Sequence, residues 1–212
     1  MPAFLTRDPR NPDFWDERFA KNFTPWDKGN VPATLQAFVQ AAPQALHTLI
    51  PGCGNAYEAA YLAQAGWDVT AIDFSPAAVQ SAKAAIGAWG KHVIEADFFR
   101  YMPAQPLDLI YERAFFCALP REMRPDIVRR WATLLPAGAL LAGYFFHDDA
   151  VDASDALTKG PPFSINSHDF HRLMEPFFEL LQDSAVGDSI AVFEGKERWQ
   201  VWCRRPEPAY DL

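Results

Sequence analysis

The chain has 212 residues, half of them hydrophobic, and a formal net charge of -8. This length suits one α/β domain, and the apolar content excludes wholesale disorder. The acidic balance argues against nucleic-acid or anionic-membrane partners, and no apolar run is long enough to cross a bilayer. Three scattered cysteines are too few for a disulfide framework or a zinc site. Without an apolar signal core near Met1, these features predict a cytoplasmic protein that needs no metal.

The N-terminal 45 residues are predicted to form a helical arm. Asn11 is a suitable N-cap and Pro12 a suitable first helical residue, and aromatic side chains including Trp15 and Phe19 follow within the first helix. A turn-rich loop and a short amphipathic helix come next. The predicted ranges are 11–22 for the first helix, 24–30 for the loop and 32–40 for the second helix.

From residue 46 onward, apolar strands and helices alternate. Ser75 is predicted to cap one of these helices, with Pro76 at its first position. The predicted strands are 46–50, 68–72, 92–95, 107–111 and 139–146, and the predicted helices are 56–65, 76–88 and 121–135. Five strands separated by helices indicate a doubly wound parallel sheet.

The C-terminal part of the chain is predicted to complete the sheet. A polar loop over 147–164 and a helix over 168–174 lead to strands at 177–183 and 198–204, which lack a helix-length connection and should pair antiparallel. We therefore predict an α/β, Rossmann-like, mostly parallel seven-stranded sheet ending in an antiparallel pair. Helices should cover both faces, with an N-terminal helical lid. The predicted division is a single domain over 1–212, with the arm and lid at 1–45 and the core at 46–212.

The segment from Leu46 to Asp73 is predicted to bind a nucleotide-type cofactor. Gly52 and Gly54 follow the first strand directly, where glycine lets the backbone approach a ligand closely. Asp73 ends the second strand, where a carboxylate can accept hydrogen bonds from both hydroxyls of a ribose; its alternative role is a helix N-cap. A dinucleotide fingerprint needs glycine or alanine at the sixth loop position, so the ring of Tyr57 there argues against NAD or FAD.

An adenine site is predicted after the third strand. Asp97 supplies an acceptor for an amino group and Phe98 an apolar face for a ring, the alternative being a solvated acidic loop. An antiparallel final pair is also the usual end of the sheet in methyltransferases that use S-adenosylmethionine (SAM). These features favour SAM as the cofactor.

Several motifs, spread in order through nearly the whole chain, resemble the thiopurine S-methyltransferase family, which includes plant-type halide, thiocyanate and thiol methyltransferases. The matching pieces are FWDERFAKNFTPWDKG (14–29), LIPGCGNAYEAAYLAQAGWDVTAIDFSPAAV (49–79), EADFF (95–99), DLIYERAFFCALPREMRP (108–125) and GPPFS (160–164). The resemblance implies a SAM-dependent enzyme whose product is S-adenosylhomocysteine (SAH), with the cofactor-binding residues Trp15, Phe19, Trp26, Gly52, Asp73, Asp97, Phe98 and Arg113.

Arg113 is the residue that the resemblance also implies to be catalytic, because the family position after the fourth strand lies by the sulfonium and the substrate. Plant halide-type enzymes tend to have Tyr there and thiopurine-type enzymes Arg, whereas Phe19 departs mildly from the Trp of plant-type enzymes. A fixed cation can lower the pKa of a substrate thiol or orient an anion. The alternative is a structural ion pair of Arg113 with Glu112 or Glu95.

Other polar and aromatic residues are weaker candidates. Glu112 and His147 lie where a base could act, although a loop histidine is the simpler interpretation of His147. Cys53 and Cys117 lack a paired base and are interpreted as packing residues. The remaining candidates are wall residues of a substrate pocket, with core packing or a plain connector as the alternative: Phe115, Phe116 and the segment 160–163.

The sequence thus predicts methyl transfer by in-line displacement to a small soft nucleophile: a thiol, a thiopurine-like heteroaryl thiol, thiocyanate or a halide. The alternatives are a non-catalytic SAM-binding module and an NAD-dependent oxidoreductase. A small-molecule substrate, no nucleic-acid or membrane partner and a monomeric state are the accompanying expectations. Lid aromatics and Arg113 converging on an open pocket would favour the enzyme over a binding module.

Overall fold

The computed structural model describes residues 3–150 and 160–207. Residues 151–159 of the polar loop predicted over 147–164 therefore lie outside the described part. None of the described helices has the length and apolar character needed to span a bilayer.

Within the described residues, the predicted order of elements is confirmed. The helices are α1 (Pro12–Ala20), α2 (Ala33–Ala41), α3 (Tyr57–Gln64), α4 (Pro76–Ile86), α5 (Arg124–Leu134) and α6 (Ser167–Met174). The strands are β1 (His47–Pro51), β2 (Asp68–Asp73), β3 (Val93–Glu95), β4 (Leu109–Arg113), β5 (Leu140–Phe146), β6 (Phe178–Ala185) and β7 (Glu197–Arg204).

The seven strands form one mixed sheet in the order β3-β2-β1-β4-β5-β7-β6. Strands β1 to β5 are paired in parallel, whereas β7 runs antiparallel to both β5 and β6. The strand order reverses between β1 and β4, and open α/β sheets bind ligands at such a switch point, beyond the carboxyl ends of the strands. The fold therefore places a binding crevice where β1, β2 and β4 end.

Helices pack on both faces of the sheet, as predicted. The side chains of β1 alternate between the faces: Leu49 packs in the cluster that holds Trp131 of α5 and Phe170 of α6, and Ile50 packs in the cluster that holds Leu35 of α2 and Leu62 of α3. Burial on both faces explains why the strands read as continuous apolar runs.

Several predicted boundaries differ from the structure by one or two residues, and two further differences concern α5 and β4. The helix predicted over 121–135 is a 3-10 turn at Arg121–Met123 followed by α5, because Pro125 has no N–H and is tolerated in the first turn of a helix. The fourth strand begins and ends two residues later than predicted, so Arg113 is its last residue instead of following it. In the sequence, the consecutive charged residues Glu112 and Arg113 indicate that the strand has already ended, yet both pair with residues of β5.

Candidate active site

A cavity of about 690 Å³ opens at the carboxyl edge of the sheet, between the sheet and the N-terminal arm. We call it the central cavity. Its volume lies within the range of about 300–1,000 Å³ found for small-molecule sites. The predicted site residues all line it: Trp15, Phe19, Trp26, Gly52, Asp73, Asp97, Phe98 and Arg113.

The glycine loop after β1 has the backbone conformation that its glycines predict. Gly52 and Gly54 have φ angles of +58° and +52°, in the left-handed region. A Cβ atom built on Gly52 would lie 2.6 Å from Cδ2 of Phe115. Position 52 therefore requires glycine for two reasons: the left-handed backbone conformation, and the close approach of the loop that follows β4.

We expect Gly52→Ala to destabilise the fold more than Gly66→Ala. Gly66 also has a positive φ of +83°, but no atom lies within 4 Å of the site of its Cβ, so this variant carries only the conformational cost. The overlap with Phe115 should add about 1–3 kcal/mol to the loss for Gly52→Ala. Urea unfolding of both variants measures the difference, and equal losses would show that the approach of Phe115 is not constraining.

Asp73, the last residue of β2, is buried with 8% of its surface exposed. One carboxylate oxygen accepts the N–H of Ser75 at 3.0 Å and the other accepts the N–H of Gly54 at 3.2 Å. Burial raises the pKa of the carboxyl to about 6, although these hydrogen bonds favour the charged form. The N-cap of α4 is Ser75, whose Oγ accepts the N–H of Ala78, so the alternative N-cap role for Asp73 is wrong.

The arm brings its aromatic side chains together at the mouth of the cavity. Trp15 and Trp26 meet edge to face with ring centres 5.4 Å apart, and Phe19 lies 6.2 Å from Trp26. The arm is attached through Asp16, whose carboxylate accepts the Ser75 hydroxyl at 2.6 Å and the N–H of Ala77 at 2.9 Å. Asp16 is not among the residues predicted from the sequence; the free N–H groups that begin α4 were the available signal, because they attract a carboxylate.

The segment after β3 forms a further part of the wall. Phe98 is 5% exposed, and its ring lies 5.0 Å from that of Phe115. Asp97 accepts the N–H of Phe99 at 2.8 Å and keeps 45% of its side chain exposed. The pair therefore offers a buried ring edge and an accessible carboxylate side by side.

Arg113 lies deep in the cavity, with 9% of its side chain exposed. Its Nη1 is 3.6 Å from a carboxylate oxygen of Glu58, and its guanidinium lies 4.8 Å from the ring centre of Tyr144. Its Nε and Nη2 are buried and have no hydrogen-bond partner among the described residues. The predicted alternative partners Glu112 and Glu95 are wrong, since the carboxylate that pairs with Arg113 is Glu58.

Glu58 is the most informative residue that the sequence analysis missed. It occupies the first turn of α3, directly after the glycine loop, and its side chain is 14% exposed. Burial raises the pKa of its carboxyl, an effect that Arg113 partly offsets. Its place just past the strand-to-helix turn was the available signal, because that turn faces the carboxyl edge of the sheet.

The other candidate bases do not line the cavity. His147 lies just past the end of β5, where a loop histidine is the simpler interpretation. It is buried against Phe170 at 5.3 Å between ring centres, and burial lowers its pKa to about 4. Glu112 is buried too, and one of its oxygens accepts the N–H of Phe116 at 2.8 Å. Within residues 3–150 and 160–207, no group of three or more His, Cys, Asp or Glu is arranged to hold a metal ion.

Glu112 should make stability depend on pH. Burial raises the pKa of its carboxyl to about 8 in the folded protein, from an ordinary value of 4.5. The folded protein binds this proton more tightly than the unfolded chain does. The resulting contribution of Glu112 to the free energy of unfolding is fully present below pH 4.5 and is lost as the pH rises towards 8. Glu112→Gln cannot ionise, so the wild type should lose stability relative to it across this window, by at most about 1.4 kcal/mol per pH unit. Denaturant unfolding from pH 5 to 8 tests this, with the exposed Glu122→Gln as control; parallel curves for wild type and Glu112→Gln would contradict it.

The remaining candidates divide between wall and core. Phe115 lines the cavity, whereas Phe116 stacks on Trp131 in the core with ring centres 5.4 Å apart. Cys53 and Cys117 also line the cavity, and burial raises the pKa of both thiols well above the ordinary value, which suits packing better than nucleophilic chemistry. The opposite wall includes Gly160, Pro161, Pro162, Val192 and Phe193.

The comparisons with known proteins agree on one family of enzymes. The model of the thiopurine S-methyltransferase (TPMT) family matches residues 10–206. Thiocyanate methyltransferase 1 of Arabidopsis thaliana is 27% identical over 195 residues, covering 89% of this chain and 83% of that protein. Thiopurine S-methyltransferase of Pseudomonas putida (strain GB-1) is 31% identical over 176 residues, covering 73% and 78%.

Solved structures share the fold at low sequence identity. Magnesium protoporphyrin IX methyltransferase from Synechocystis PCC 6803 with bound SAH superimposes with a TM-score of 0.67 at 16% identity, covering 92% of this chain and 99% of that one. The NAD-dependent oxidoreductase and the non-catalytic module are alternatives that the family match does not support. The chain belongs to the thiopurine S-methyltransferase family and is a SAM-dependent methyltransferase.

Proposed function

We propose that this enzyme transfers the methyl group of SAM to the sulfur of a small thiol with an apolar or aromatic substituent, and more slowly to thiocyanate or a halide. The observation that carries the proposal is that one cavity is lined by two chemically different groups. The first is the glycine loop with the buried carboxylate of Asp73, and the second is the cation of Arg113, which faces Glu58 just past that loop. We take the first to bind the cofactor and call it the cofactor end, and the second to bind the acceptor and call it the acceptor end.

The cofactor end fits SAM. Asp73 is fixed by two backbone N–H groups, so its oxygens are held in place to accept ribose hydroxyls. Asp97 and Phe98 would hold the adenine, and Gly52 would let the backbone approach the methionine tail. Trp15, Phe19 and Trp26 would cover the sulfonium, whose charge aromatic faces stabilise. Bound there, SAM supplies an activated methyl group.

The acceptor end combines a buried cation with apolar walls. The guanidinium of Arg113, two of whose nitrogens have no hydrogen-bond partner among residues 3–150 and 160–207, would hold a sulfur anion. The apolar side chains on this wall are Phe115, Leu119, Met123, Pro161, Pro162 and Phe193. Such walls gain from burying an organic substituent, which a bare halide or thiocyanate lacks. The names of the relatives span thiocyanate, thiol and thiopurine acceptors and thus support a sulfur nucleophile.

The work of the protein in this proposal is positioning and exclusion of water. Holding a nucleophile behind a methyl group in a closed site is worth about 7–11 kcal/mol in favourable cases. A thiol has an ordinary pKa of about 8.5, and the guanidinium of Arg113 would raise its ionised fraction.

We expect SAH release to be fastest with aryl thiols. Purified protein would be incubated with SAM and each of iodide, thiocyanate, hydrosulfide, a small alkyl thiol, a small aryl thiol and a mercaptopurine, with enzyme-free reactions as controls. Since the apolar wall binds the substituent, kcat/KM for aryl thiols should exceed that for thiocyanate and iodide. Measurable SAM binding without turnover of any of these acceptors would refute the proposed acceptor class.

A further inference from the structure

The carboxylates that line the central cavity differ in what holds them. Asp27 accepts the side-chain amide of Asn55 and the N–H of Gly29, the latter at 2.7 Å. Asp73 accepts two backbone N–H groups, and Asp97 accepts one while remaining half-exposed. These carboxylates are therefore engaged by the fold itself or are open to solvent.

Glu58 is in a different situation. Its side chain keeps 14% of its surface exposed in the cavity wall. Besides its own backbone N–H, the group that faces it is the guanidinium of Arg113, at 3.6 Å. That distance is longer than a close N–H to carboxylate hydrogen bond, which is about 2.7–2.9 Å. The hydroxyl of Tyr111, also on the cavity wall, is buried without a hydrogen-bond partner among the described residues. This part of the cavity wall thus brings a carboxylate and a guanidinium into loose contact beside a phenol. The guanidinium and the phenol keep hydrogen-bonding groups without a partner among the described residues.

We propose that Glu58 is a catalytic base that takes the proton of a neutral thiol bound against Arg113. The inference rests on the proposed function. In the step, the S–H bond breaks and its proton passes to a carboxylate oxygen of Glu58, leaving the electron pair on sulfur. That pair forms the new sulfur–carbon bond as the methyl group leaves SAM, and SAH departs neutral at its sulfur. Glu58 then loses the proton to water when the cavity opens.

The step keeps the net charge of the site unchanged. Before transfer the site with bound SAM would hold a carboxylate, a guanidinium, a sulfonium and a neutral thiol; afterwards it would hold a carboxylic acid, a guanidinium, a sulfonium and a thiolate. The burial that raises the pKa of Glu58 also brings it closer to that of a thiol, which improves proton transfer.

The test compares acceptors that carry a proton with acceptors that do not. Glu58→Gln and wild type would be assayed at pH 7.5 with thiocyanate and with thiols graded from acidic aryl thiols to alkyl thiols. The loss of kcat should grow with the pKa of the thiol, to about a hundredfold for alkyl thiols, the lower end of general-base contributions. For thiocyanate, which has no proton to lose, it should stay under about threefold, within ordinary variation for a site that keeps its shape.

A purely positioning role for Glu58 predicts another pattern. If Glu58 acted by orienting Arg113, all acceptors would lose activity by the same factor, and that result would overturn the inference while leaving the proposed function intact. No turnover of any acceptor by the wild type would overturn both. SAM affinity measured by calorimetry should be unchanged in Glu58→Gln, and Glu122→Gln serves as an exposed control. Should Glu58→Gln not fold, Glu58→Asp keeps a displaced carboxylate and must show the same graded dependence on thiol pKa.

Discussion

Replacing Asp73 by alanine is expected to weaken SAM binding by about 1–3 kcal/mol, which is about five- to 150-fold in Kd. The ribose hydroxyls would lose the buried acceptor that we propose for them, and water does not replace it easily in a covered site. Calorimetric titration with SAM or SAH measures the change. The control is Asp68→Ala, at the exposed start of the same strand, which should leave Kd unchanged.

The same substitution also removes the acceptor of two backbone N–H groups, those of Gly54 and Ser75. Some loss of stability is therefore expected, and binding must be measured well below the unfolding temperature of the variant. Asp73→Asn retains one acceptor oxygen and should fall between wild type and alanine. Unchanged SAM affinity in a folded Asp73→Ala would remove Asp73 from the ribose site.

Because the pKa of Asp73 is about 6, the affinity for SAM should also depend on pH. An ionised carboxylate can accept hydrogen bonds from both ribose hydroxyls, whereas the protonated form turns one oxygen into a donor. SAM affinity should therefore decrease as the pH falls from 7 to 5, by a factor approaching ten per pH unit below the pKa if only the ionised form binds. Asp73→Asn should show no such dependence. The same slope in both proteins would assign the titration to another group.

Replacing Arg113 by alanine should lower turnover much more than SAM affinity. Hydrogen bonds to charged groups are worth about 1.5–3 kcal/mol, so kcat/KM for a thiol should fall about ten- to 150-fold. The Kd for SAM should change less than about threefold, since the contacts proposed for the cofactor lie at Asp73 and the glycine loop. Steady-state kinetics with the acceptor varied, combined with calorimetry, separate the two effects.

The matched control for this prediction is Arg10→Ala. Arg10 also lines the cavity, but its side chain is 54% exposed and is paired with Asp8 at 2.7 Å, so its loss should change neither quantity appreciably. Arg113→Lys keeps the charge without the planar set of N–H donors and should recover part of the activity. If Arg113→Ala weakened SAM binding with kcat unchanged, Arg113 would belong to the cofactor site alone.

Loss of Arg113 also leaves Glu58 buried without its cation. A buried carboxylate that loses its partner is costly unless it takes up a proton, so the variant should gain stability relative to the wild type as the pH is lowered. Thermal unfolding at two pH values checks that the kinetic loss is not a loss of folded protein.

The order of elements could be predicted from the sequence because its signals are local. An apolar run between turn residues marks a strand such as β1, and Ser75 followed by Pro76 marks the start of α4, whatever the rest of the chain does. The crevice was predictable for the same reason: residues at the carboxyl ends of neighbouring parallel strands, Gly52 and Asp73 among them, must meet at one edge of the sheet.

The end of β4 shows where local signals fail. Charged Glu112 and Arg113 look like the start of a loop, but their partners on β5 continue the ladder through both residues. Burying a charge at the end of a strand is unfavourable by itself, and proteins tolerate it at functional sites, where other interactions offset the cost. The residues of the strand do not show which interactions these are.

The doubly wound sheet and the glycine loop with Asp73 at its edge could thus be derived from the sequence, since they depend on periodicity, turn chemistry and strand order; the resemblance to a known family added Trp15 and Arg113. Only the three-dimensional structure shows which side chains pair across elements. Glu58 of α3 faces Arg113 of β4, and Asp16 of the arm holds the start of α4, although these partners lie far apart in sequence. Such pairings depend on how helices and strands pack in three dimensions, which no local pattern specifies.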